Sequence, residues 1–310
     1  MAVFFNIDQL PTLQKPVITI GTFDGVHKGH RTILTEVVEH ARTVNGESVL
    51  ITFEPHPRKL LFPDQPLWFI TPLEQKLKLI TEAGIQHIVV VPFTKSFSEL
   101  SAEAYIEDFL VKTFHPHTII IGYDHRFGHD RTGSIALLRK FQQKHGYELI
   151  EIQAQLIDEA AVSSTKIRKA IKEGQVREAS QMLGRDYNMR GTVVRGAQLG
   201  RTIGFPTVNI RLNEPEQIVP GIGIYAVYLT HNNITFKAML SIGYNPTVTT
   251  DRSIKIEANI FDFDKEIYDD MVEVSFVARL RDEVKFENIE ALKEQLHRDK
   301  EDSLRELGHR

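Results

Sequence analysis

Residues 17–53 read VITIGTFDGVHKGHRTILTEVVEHARTVNGESVLITF, and this stretch decides the fold of the first half of the chain. A short apolar run, Val17–Ile20, leads into a loop with glycines, and a helical pattern follows from Arg31 to about Asn45. Ser48–Phe53 is again almost wholly apolar. Short apolar runs of this kind are typical of strands that are buried on both faces of a parallel sheet. The stretch therefore predicts a strand–helix–strand unit.

Strand and helix continue to alternate beyond this unit. The runs and patterns that follow are Ile85–Phe93, a helix that Ser101 caps, Thr118–Ile121, Ile135–His145, Tyr147–Ala154, and two short helices, Thr165–Lys172 and Val176–Leu183. This order predicts an α/β domain with a mainly parallel, Rossmann-like sheet.

The pattern changes after Tyr187, where strand-like runs follow one another without long helices between them. These runs are Met189–Arg195, Tyr225–Thr230, Ile234–Ile242, Ile254–Phe261 and Val272–Leu280. Closely spaced strands predict an antiparallel β-barrel or sandwich, and a final helix is predicted over about Ile289–Leu307 with Asn288 as its N-cap. We place the domain boundary near residues 184–187, which gives domains of residues 1–186 and 187–310.

Composition excludes several classes of function. The 310 residues include 37 Lys and Arg against 41 Asp and Glu, and no Cys. Such a charge balance gives no electrostatic case for nucleic-acid binding. Without Cys, the chain forms no disulfide, thiol nucleophile or Cys-ligated metal site. Because the sequence shows neither a signal peptide nor an apolar run long enough to cross a bilayer, we expect a cytoplasmic protein without a membrane partner; a homo-oligomer is left open.

The first candidate site is the loop GTFDGVHKGH, residues 21–30, between a strand and a helix, where α/β sheets bind ligands. Its glycines are Gly21, Gly25 and Gly29. They let backbone approach a phosphate closely, and the helix that follows offers free N–H groups, but their spacing does not fit NAD binding. His27 and His30 could stabilise charge on a transferring phosphoryl group. The alternative interpretation is a glycine turn with surface histidines.

The whole ten-residue string, in its strand–loop–helix context, resembles the signature of the nucleotidyltransferase superfamily, whose members transfer a nucleotide from an NTP and release pyrophosphate. A second string, SSTKIR at residues 163–168, resembles the Ser-Ser-Thr-x-x-Arg phosphate-binding motif of the flavin-nucleotide branch. Hydroxyls and basic side chains at a helix N-terminus form an anion site, although a plain Ser/Thr cap is the alternative. The resemblance implies nucleotide or phosphate contacts at Gly21, Phe23, Asp24, Gly25, Gly29, Ser163, Ser164, Thr165 and Arg168.

Two further strings fit that branch, TFEPHP at residues 52–57 and GYDHRFG at residues 122–128. Both lie at the carboxyl ends of predicted strands, on the side of the sheet where ligands bind. The resemblance implies flavin contacts at Asp124, Arg126 and Phe127, while His125 stands where the family commonly has Phe. Nearby histidines offer a metal cluster as an alternative, but irregularly spaced surface histidines fit better, because no Cys or carboxylate spacing completes a site.

The second candidate site lies after Tyr187. The string RGTVVRGAQLGRTIGFPTVN, residues 190–209, contains Gly196, Gly200 and Gly204. It is not a Walker A loop. A glycine-rich loop of this kind can still bend closely over phosphates. Thr207 and Asn209 face the same way if that segment is extended, and their oxygens suit Mg²⁺ shared with a nucleotide. The alternative is an ordinary strand start after Pro206.

Glu257 interrupts the apolar run Ile254–Phe261. Glu is rarely buried without a partner or a role, so this carboxylate could accept a proton from a substrate hydroxyl. The alternative is an outward-facing strand residue, and the strand pattern alone does not separate the two.

The second half resembles riboflavin kinase through GRTIGFPTVN (200–209), PGIGIYAV (220–227), SIGYNPTV (241–248), IEANIFDFDKEIYD (256–269) and FENIEALKEQLHRD (286–299). With the first half, nearly the whole chain resembles the bacterial bifunctional riboflavin kinase/FMN adenylyltransferase family. That resemblance implies a nucleotidyltransferase-type domain followed by a riboflavin kinase-like barrel with a C-terminal helix. It also implies phosphorylation of riboflavin to FMN, then adenylylation of FMN to FAD.

In residue terms, the resemblance implies that His27 and His30 act in adenylylation, that Glu257 is the base of the kinase, and that Thr207 and Asn209 bind Mg²⁺ with ATP. The glycine-rich loop would then lie over the phosphates. Three alternatives stay open: one active domain beside a degenerate one, a non-enzymatic flavin or nucleotide sensor, and an adenylyltransferase for another phosphate ester.

Overall fold

A computed structural model describes residues 2–123, 125–153, 162–196, 200, 203–244 and 254–308. By contacts, the chain divides into two compact units, Met1–Ser164 and Thr165–Arg310. Among the described residues, no helix is both long and apolar enough to span a membrane.

The first unit is a six-stranded parallel sheet with helices. Its strands are β1 (Ala2–Phe4), β2 (Val17–Ile20), β3 (Ser48–Glu54), β4 (His87–Pro92), β5 (Thr118–Gly122) and β6 (Glu148–Ile152). Its helices are α1 (Lys28–Thr43), α2 (Pro57–Leu61), α3 (Leu73–Glu82), α4 (Lys95–Ser98), α5 (Ala102–Ala104), α6 (Lys112–Phe114) and α7 (Ile135–His145). A π-helical segment, Tyr105–Val111, joins α5 to α6.

The strand order is β1-β4-β3-β2-β5-β6, and all neighbouring pairs are parallel. The order reverses between β2 and β5, because β2 pairs with β3 on one side and with β5 on the other. Open α/β sheets bind ligands beyond the carboxyl ends of the strands at such a reversal. The loop after β2 lies at this position.

Two apolar clusters cover the two faces of this sheet. Val17, Leu50 and Ile88 pack with α1 and α3, while Ile18, Val49 and Val89 pack with the helical segment 102–114 and α7. Alternate residues of each strand thus point to opposite sides. Burial on both faces explains why these strands read as unbroken apolar runs.

The second unit begins with helices α8 (Ser164–Lys172) and α9 (Val176–Leu183), although Ser164 itself belongs to the first unit. Six antiparallel strands then close a barrel: β7 (Tyr187–Val194), β8 (Val208–Leu212), β9 (Gly223–His231), β10 (Ile234–Tyr244), β11 (Ile254–Ile260) and β12 (Met271–Arg281). The strand order around the barrel is β10-β11-β8-β7-β12-β9. Helix α10 (Ile289–Gly308) follows the barrel.

The predicted fold class is confirmed, and the open choice between barrel and sandwich is decided by closure of β10 against β9. Ser101 and Asn288 cap their helices as predicted, since their side chains accept hydrogen bonds from the backbone N–H groups of Ala104 and Ala291. Helix α1 begins at Lys28, three residues before the predicted start, because the His27 side chain caps it. A sequence pattern does not reveal a histidine cap.

Two candidate active sites

The loop of residues 21–30, here called the signature loop, connects β2 to α1 at the carboxyl edge of the sheet. Its backbone is left-handed at Phe23, Gly25 and Val26, with φ angles of 50°, 90° and 40°. Glycine adopts such angles freely, whereas a β-branched residue does so under strain. Val26 is fully buried, so its surroundings hold the turn in this shape.

Asp24 fastens the signature loop to two other segments. Its buried carboxylate accepts hydrogen bonds from the backbone N–H groups of Ile70, at 3.1 and 3.2 Å, and Thr71, at 3.0 Å. Its backbone carbonyl accepts one from the Ser164 hydroxyl at 3.0 Å. The structure thus brings Ser164 of the SSTKIR string to the signature loop. A direct nucleotide contact by Asp24 stays a prediction.

His27 and His30 form a stacked pair at the N-terminus of α1. Their ring centroids are 3.6 Å apart and the rings are 14° from parallel. Nδ1 of His27 accepts a hydrogen bond from the backbone N–H of His30 at 3.3 Å, which caps the helix. Residues three apart on a helix lie side by side, which accounts for the stacking, and Gly29 between them in sequence is buried. The pair lies where a helix terminus favours anions.

His30 is held in its uncharged form. Burial is the largest cause of a pKa well below the usual value, and the charges of His27 and Lys76 lower this pKa further. Its Nδ1 is withdrawn from solvent and has no hydrogen-bond partner within the described part of the chain. Phe23 packs against the ring with centroids 5.0 Å apart and also lies against Gly21. A neutral imidazole can donate or accept a hydrogen bond without bringing its own charge.

The remaining residues of the SSTKIR string lie at the start of α8. Ser163 directly precedes the helix and is half-buried. Thr165 and Arg168 lie in its first two turns, where Thr165 is exposed and Arg168 is half-buried. Arg126 is exposed, while Phe127 is buried and stacks on Tyr105 with ring centroids 4.9 Å apart. Asp124 lies outside the described residues. The predicted flavin contacts of this group stay predictions.

In the barrel, the strand register brings Asn209 and Glu257 together. They are directly paired between β8 and β11, and Ser241 of β10 pairs with Glu257 from the other side. Directly opposed residues on antiparallel strands point to the same face with their Cβ atoms about 5 Å apart. Thr207, two residues before Asn209, precedes β8. The proposed base and a proposed metal ligand are therefore neighbours, although 48 positions separate them in the sequence.

Glu257 is half-buried, and one of its carboxylate oxygens pairs with Lys255 Nζ at 2.8 Å. Asn259 lies two residues further along the same strand and is buried. Its side-chain amide donates a hydrogen bond to the carbonyl of Pro206 at 2.6 Å, immediately before Thr207. Asn259 thus fixes the backbone that presents Thr207, a contact that the sequence analysis missed.

Close backbone approach explains two of the glycines. A Cβ atom on Gly196 would lie 2.0 Å from Nδ2 of Asn209, and one on Gly200 would lie 2.2 Å from the carbonyl oxygen of Phe205. Gly204 is left-handed, with a φ angle of 86°. The described parts of the glycine-rich loop therefore lie directly against the segment that carries Thr207 and Asn209.

A cavity of about 380 Å³ adjoins this segment. Its apolar lining includes Val193, Val208, Ala258 and Ile260, and its polar lining comes from Thr207 and residues 264–266. This combination suits a flat apolar ring with a charged tail.

Two family models match the chain in order. The model described as FAD synthetase matches residues 10–166, and the model described as riboflavin kinase matches residues 183–307. Curated proteins named bifunctional riboflavin kinase/FMN adenylyltransferase match almost the whole chain. The one from Listeria monocytogenes is 38% identical over 93% of this chain and 91% of its own length.

The chain belongs to the bifunctional riboflavin kinase/FMN adenylyltransferase family.

Other members of the family match it equally broadly. The protein of Escherichia coli strain K12 is 34% identical over 95% of this chain and 93% of its own, and that of Bacillus subtilis is 34% identical over 94% and 92%. A solved structure from Streptococcus pneumoniae, named a macrolide-efflux protein, is 31% identical with a TM-score of 0.87 and covers 97% of both chains. The predicted family, its two enzyme activities and their order along the chain are confirmed.

Lys76 is a candidate residue of the adenylyltransferase unit that the sequence analysis missed. Its side chain is buried, with 6% exposed, and Nζ donates hydrogen bonds to the carbonyl of Thr22 and to the hydroxyl of Thr52, each at 3.2 Å. A signal was present in the sequence, because Lys76 lies three and four residues before the buried Leu79 and Ile80 on one face of α3. A lysine on the apolar stripe of a helix is rare without a partner or a role.

His125, where the family commonly has Phe, is half-buried, with its Nε2 withdrawn from solvent. Its Nε2 has no hydrogen-bond partner among the residues that the structure describes, and burial with the nearby Arg131 charge lowers its pKa to about 4. Within the same residues, no group of three or more His, Asp or Glu side chains is arranged to hold a metal ion.

Proposed function

We propose that the residues above carry two successive reactions, phosphorylation of riboflavin in the barrel and adenylylation of FMN at the signature loop. One observation supports each assignment most strongly. In the barrel it is the direct pairing of Asn209 with Glu257. At the signature loop it is the stacked His27–His30 pair at the start of α1, held in a loop to which Ser164 is bonded.

In the kinase reaction, the terminal ribityl hydroxyl of riboflavin attacks the γ-phosphorus of ATP. Its new O–P bond replaces the bond to ADP, which leaves, and the hydroxyl proton passes to Glu257. A neutral alcohol gains from a base because its proton must be lost as the bond forms. Lys255 pairs with one carboxylate oxygen and keeps Glu257 beside Asn209.

The donor set beside Glu257 fits Mg²⁺. Thr207 and Asn209 offer a hydroxyl and an amide oxygen, and hard oxygen ligands in small number are typical where phosphates and water complete the coordination. Asn259 and Gly196 hold these two ligands from either side, through the bond to Pro206 and through close approach to Asn209. When bound, the ion would neutralise charge on the ATP phosphates.

In the barrel, the cavity beside Thr207 would take the adenine of ATP. Apolar side chains line it, and Thr207, one of the two residues assigned to Mg²⁺, is part of its lining.

In the adenylyltransferase reaction, an oxygen of the FMN phosphate attacks the α-phosphorus of ATP, and pyrophosphate leaves as FAD forms. The nucleophile is already an anion, so no base is needed. What the protein supplies is alignment and stabilisation of charge. His27 and the neutral His30 would donate hydrogen bonds to the α-phosphate of the transferring adenylyl group, with the N-terminus of α1 behind them.

The test is to incubate the chain with riboflavin, ATP and Mg²⁺ and to separate the flavins over time. We expect FMN first and FAD second. Replacing His30 by Ala should lower FAD formation by about two to three orders of magnitude, as the loss of one donor to developing charge does, and leave FMN formation nearly unchanged. Equal loss of both activities would contradict separate sites.

A further inference from the structure

Lys76 forms a buried network beneath the signature loop. Its ammonium group donates hydrogen bonds to the carbonyl of Thr22 and to the hydroxyl of Thr52. That hydroxyl in turn donates to the same carbonyl at 3.3 Å. Thr22 is the second residue of the signature loop, and Thr52 is a fully buried residue of β3. The network therefore ties the loop to the neighbouring strand and to α3.

The network holds the loop next to its left-handed residues. The left-handed residue Phe23 directly follows Thr22, and the strained Val26 lies three residues later, just before His27. Backbone strain of this kind persists only where the surroundings over-determine it. Asp24 fixes the loop through Ile70 and Thr71, just before α3, and Lys76 of α3 fixes it at Thr22.

A lysine is a costly choice for this position. Burial lowers the pKa of Lys76, and the Asp24 and Glu54 carboxylates only partly oppose that effect. Removing an ammonium group from water costs several kcal/mol, and a well-packed apolar residue at a buried ionic position is often as stable or more so. Stability alone therefore does not explain Lys76. The position of Lys76 does explain it, because the residue lies beneath the loop that receives the two anionic substrates, ATP and FMN, in the proposed function.

We propose that Lys76 is a positioning residue for FMN adenylyltransfer: by holding the Thr22 carbonyl against Thr52, it sets the signature loop so that His27 and His30 meet the transferring phosphoryl group. This inference rests on the proposed role of the signature loop in FAD formation. It assigns Lys76 no contact with substrate. Its effect passes through the loop and is largest in the transition state, where alignment matters most.

The test uses the full-length chain, with FAD formation from supplied FMN and ATP as the measured reaction. Lys76→Met should lower kcat by about ten- to a hundredfold with KM values for ATP and FMN changed less than about threefold, since loss of alignment acts on the transition state. The melting temperature of the first unit should be unchanged or higher. Lys78→Met, on the exposed face of α3, is the matched control and should change nothing.

A double-mutant cycle separates positioning from a general structural effect. Thr52→Val removes the hydroxyl at constant shape and should lower kcat by a smaller factor. Because Lys76 and Thr52 act through one network, the double variant should be no slower than Lys76→Met alone. If Lys76 had a purely structural role, the variants would instead melt at a lower temperature and lose active enzyme in proportion.

Three results would overturn the inference: a Lys76→Met kcat within twofold of wild type, losses that multiply in the double variant, or a fall in activity that only follows a fall in melting temperature. If Lys76→Met does not fold, Thr52→Val decides alone, and an unchanged kcat at a normal melting temperature counts against the proposal. A wild-type chain that makes no FAD from FMN would refute the proposed function itself, independently of any variant.

Discussion

A lowered pKa is found for three basic side chains among the described residues of the first unit: His30, Lys76 and His125. Burial is the largest cause of the lowered pKa in each of them. A lowered pKa means that folding disfavours the protonated form, so each group makes stability depend on pH. For the two histidines the affected range lies just below neutral pH.

His125 gives the clearest prediction of this kind. The unfolded chain protonates this ring near pH 6.5, whereas the folded chain does so only at about pH 4. Between these values the unfolded state binds more protons, so stability falls as the pH falls. Replacing His125 by Phe should reduce the loss of unfolding free energy between pH 7.5 and pH 4.5 by about 2 kcal/mol. Urea unfolding of the wild type and of the variant at these two pH values gives the free energies to be compared.

The matched control for this comparison is His129→Phe, because His129 is exposed in the same loop region. It should leave the pH dependence as in wild type. An equal effect of both substitutions would mean that burial of the His125 ring is not the cause.

Glu257 carries the residue-scale prediction for the barrel. Glu257→Gln keeps the shape of the side chain and removes the proton acceptor, so FMN formation should fall by about 10²–10⁴-fold, mainly in kcat. The KM for ATP should change little if Thr207 and Asn209 hold the metal. FAD formation from supplied FMN should continue, which serves as the control for folding. Near-normal FMN formation would leave Glu257 with a structural role only.

At the scale of elements, a largely buried ion pair joins helix α10 to the barrel, beside the packing of Leu307 in the cluster of Ala226 and Ala278. Asp299, 1% exposed, accepts hydrogen bonds from Nε and Nη2 of Arg281 at 2.8 and 2.6 Å, and from Gln295 at 2.9 Å. Leu296 of the same helix packs against Phe205, which precedes the segment that carries Thr207. The ion pair therefore holds a helix that borders the proposed kinase site.

Asp299→Asn should break this attachment. The change keeps the side-chain shape but leaves the Arg281 guanidinium largely buried without a counter-charge, which costs about 3 kcal/mol of unfolding free energy. Asp302→Asn is the control, since its pair with Arg305 is on the exposed face of α10 and contributes about 0.5 kcal/mol or less. Chemical unfolding of both variants gives the difference, and a similar small effect at both positions would contradict the assignment.

At the scale of the whole molecule, helices α8 and α9 determine how the chain can be divided. Contacts group residues 165–310 as one unit, whereas the family models leave residues 167–182 unmatched. The buried side of α9, Val176, Ala179, Met182 and Leu183, packs on β7 and β12 of the barrel. A boundary near residue 186 separates these helices from the barrel, and it stays a proposal that fragments can test.

Three fragments make that test. Residues 1–186 should make FAD from FMN and no FMN from riboflavin. Residues 165–310 should make FMN and unfold at a higher temperature than residues 187–310, because the shorter fragment exposes the barrel surface that α9 covers. Thermal unfolding and separate flavin assays decide the matter. Equal stability of the two barrel fragments would favour the boundary at residue 186, and a folded but inactive 1–186 would contradict the division of activities.

The two-part architecture, the family and the segments that carry the candidate site residues can all be predicted from the sequence. Periodicity is a local property of the sequence, so it shows that Val17–Ile20 and Ser48–Phe53 are buried strands. It also shows that alternating strands and helices give way to consecutive strands after Tyr187. Ordered motifs are equally local, which is why the strings GTFDGVHKGH and GRTIGFPTVN are enough to indicate phosphate chemistry.

Contacts between residues far apart in the chain are decided by the tertiary fold, and no short stretch of sequence shows them. That fold closes the barrel, pairs Asn209 with Glu257, and brings Ser164 to Asp24. It also places Lys76 beneath the signature loop and buries Nδ1 of His30, which lowers the pKa of that ring. A pattern along one strand or helix shows which side chains are buried, but the residues they meet across a sheet or through a hydrogen bond are neighbours in space that the pattern does not identify.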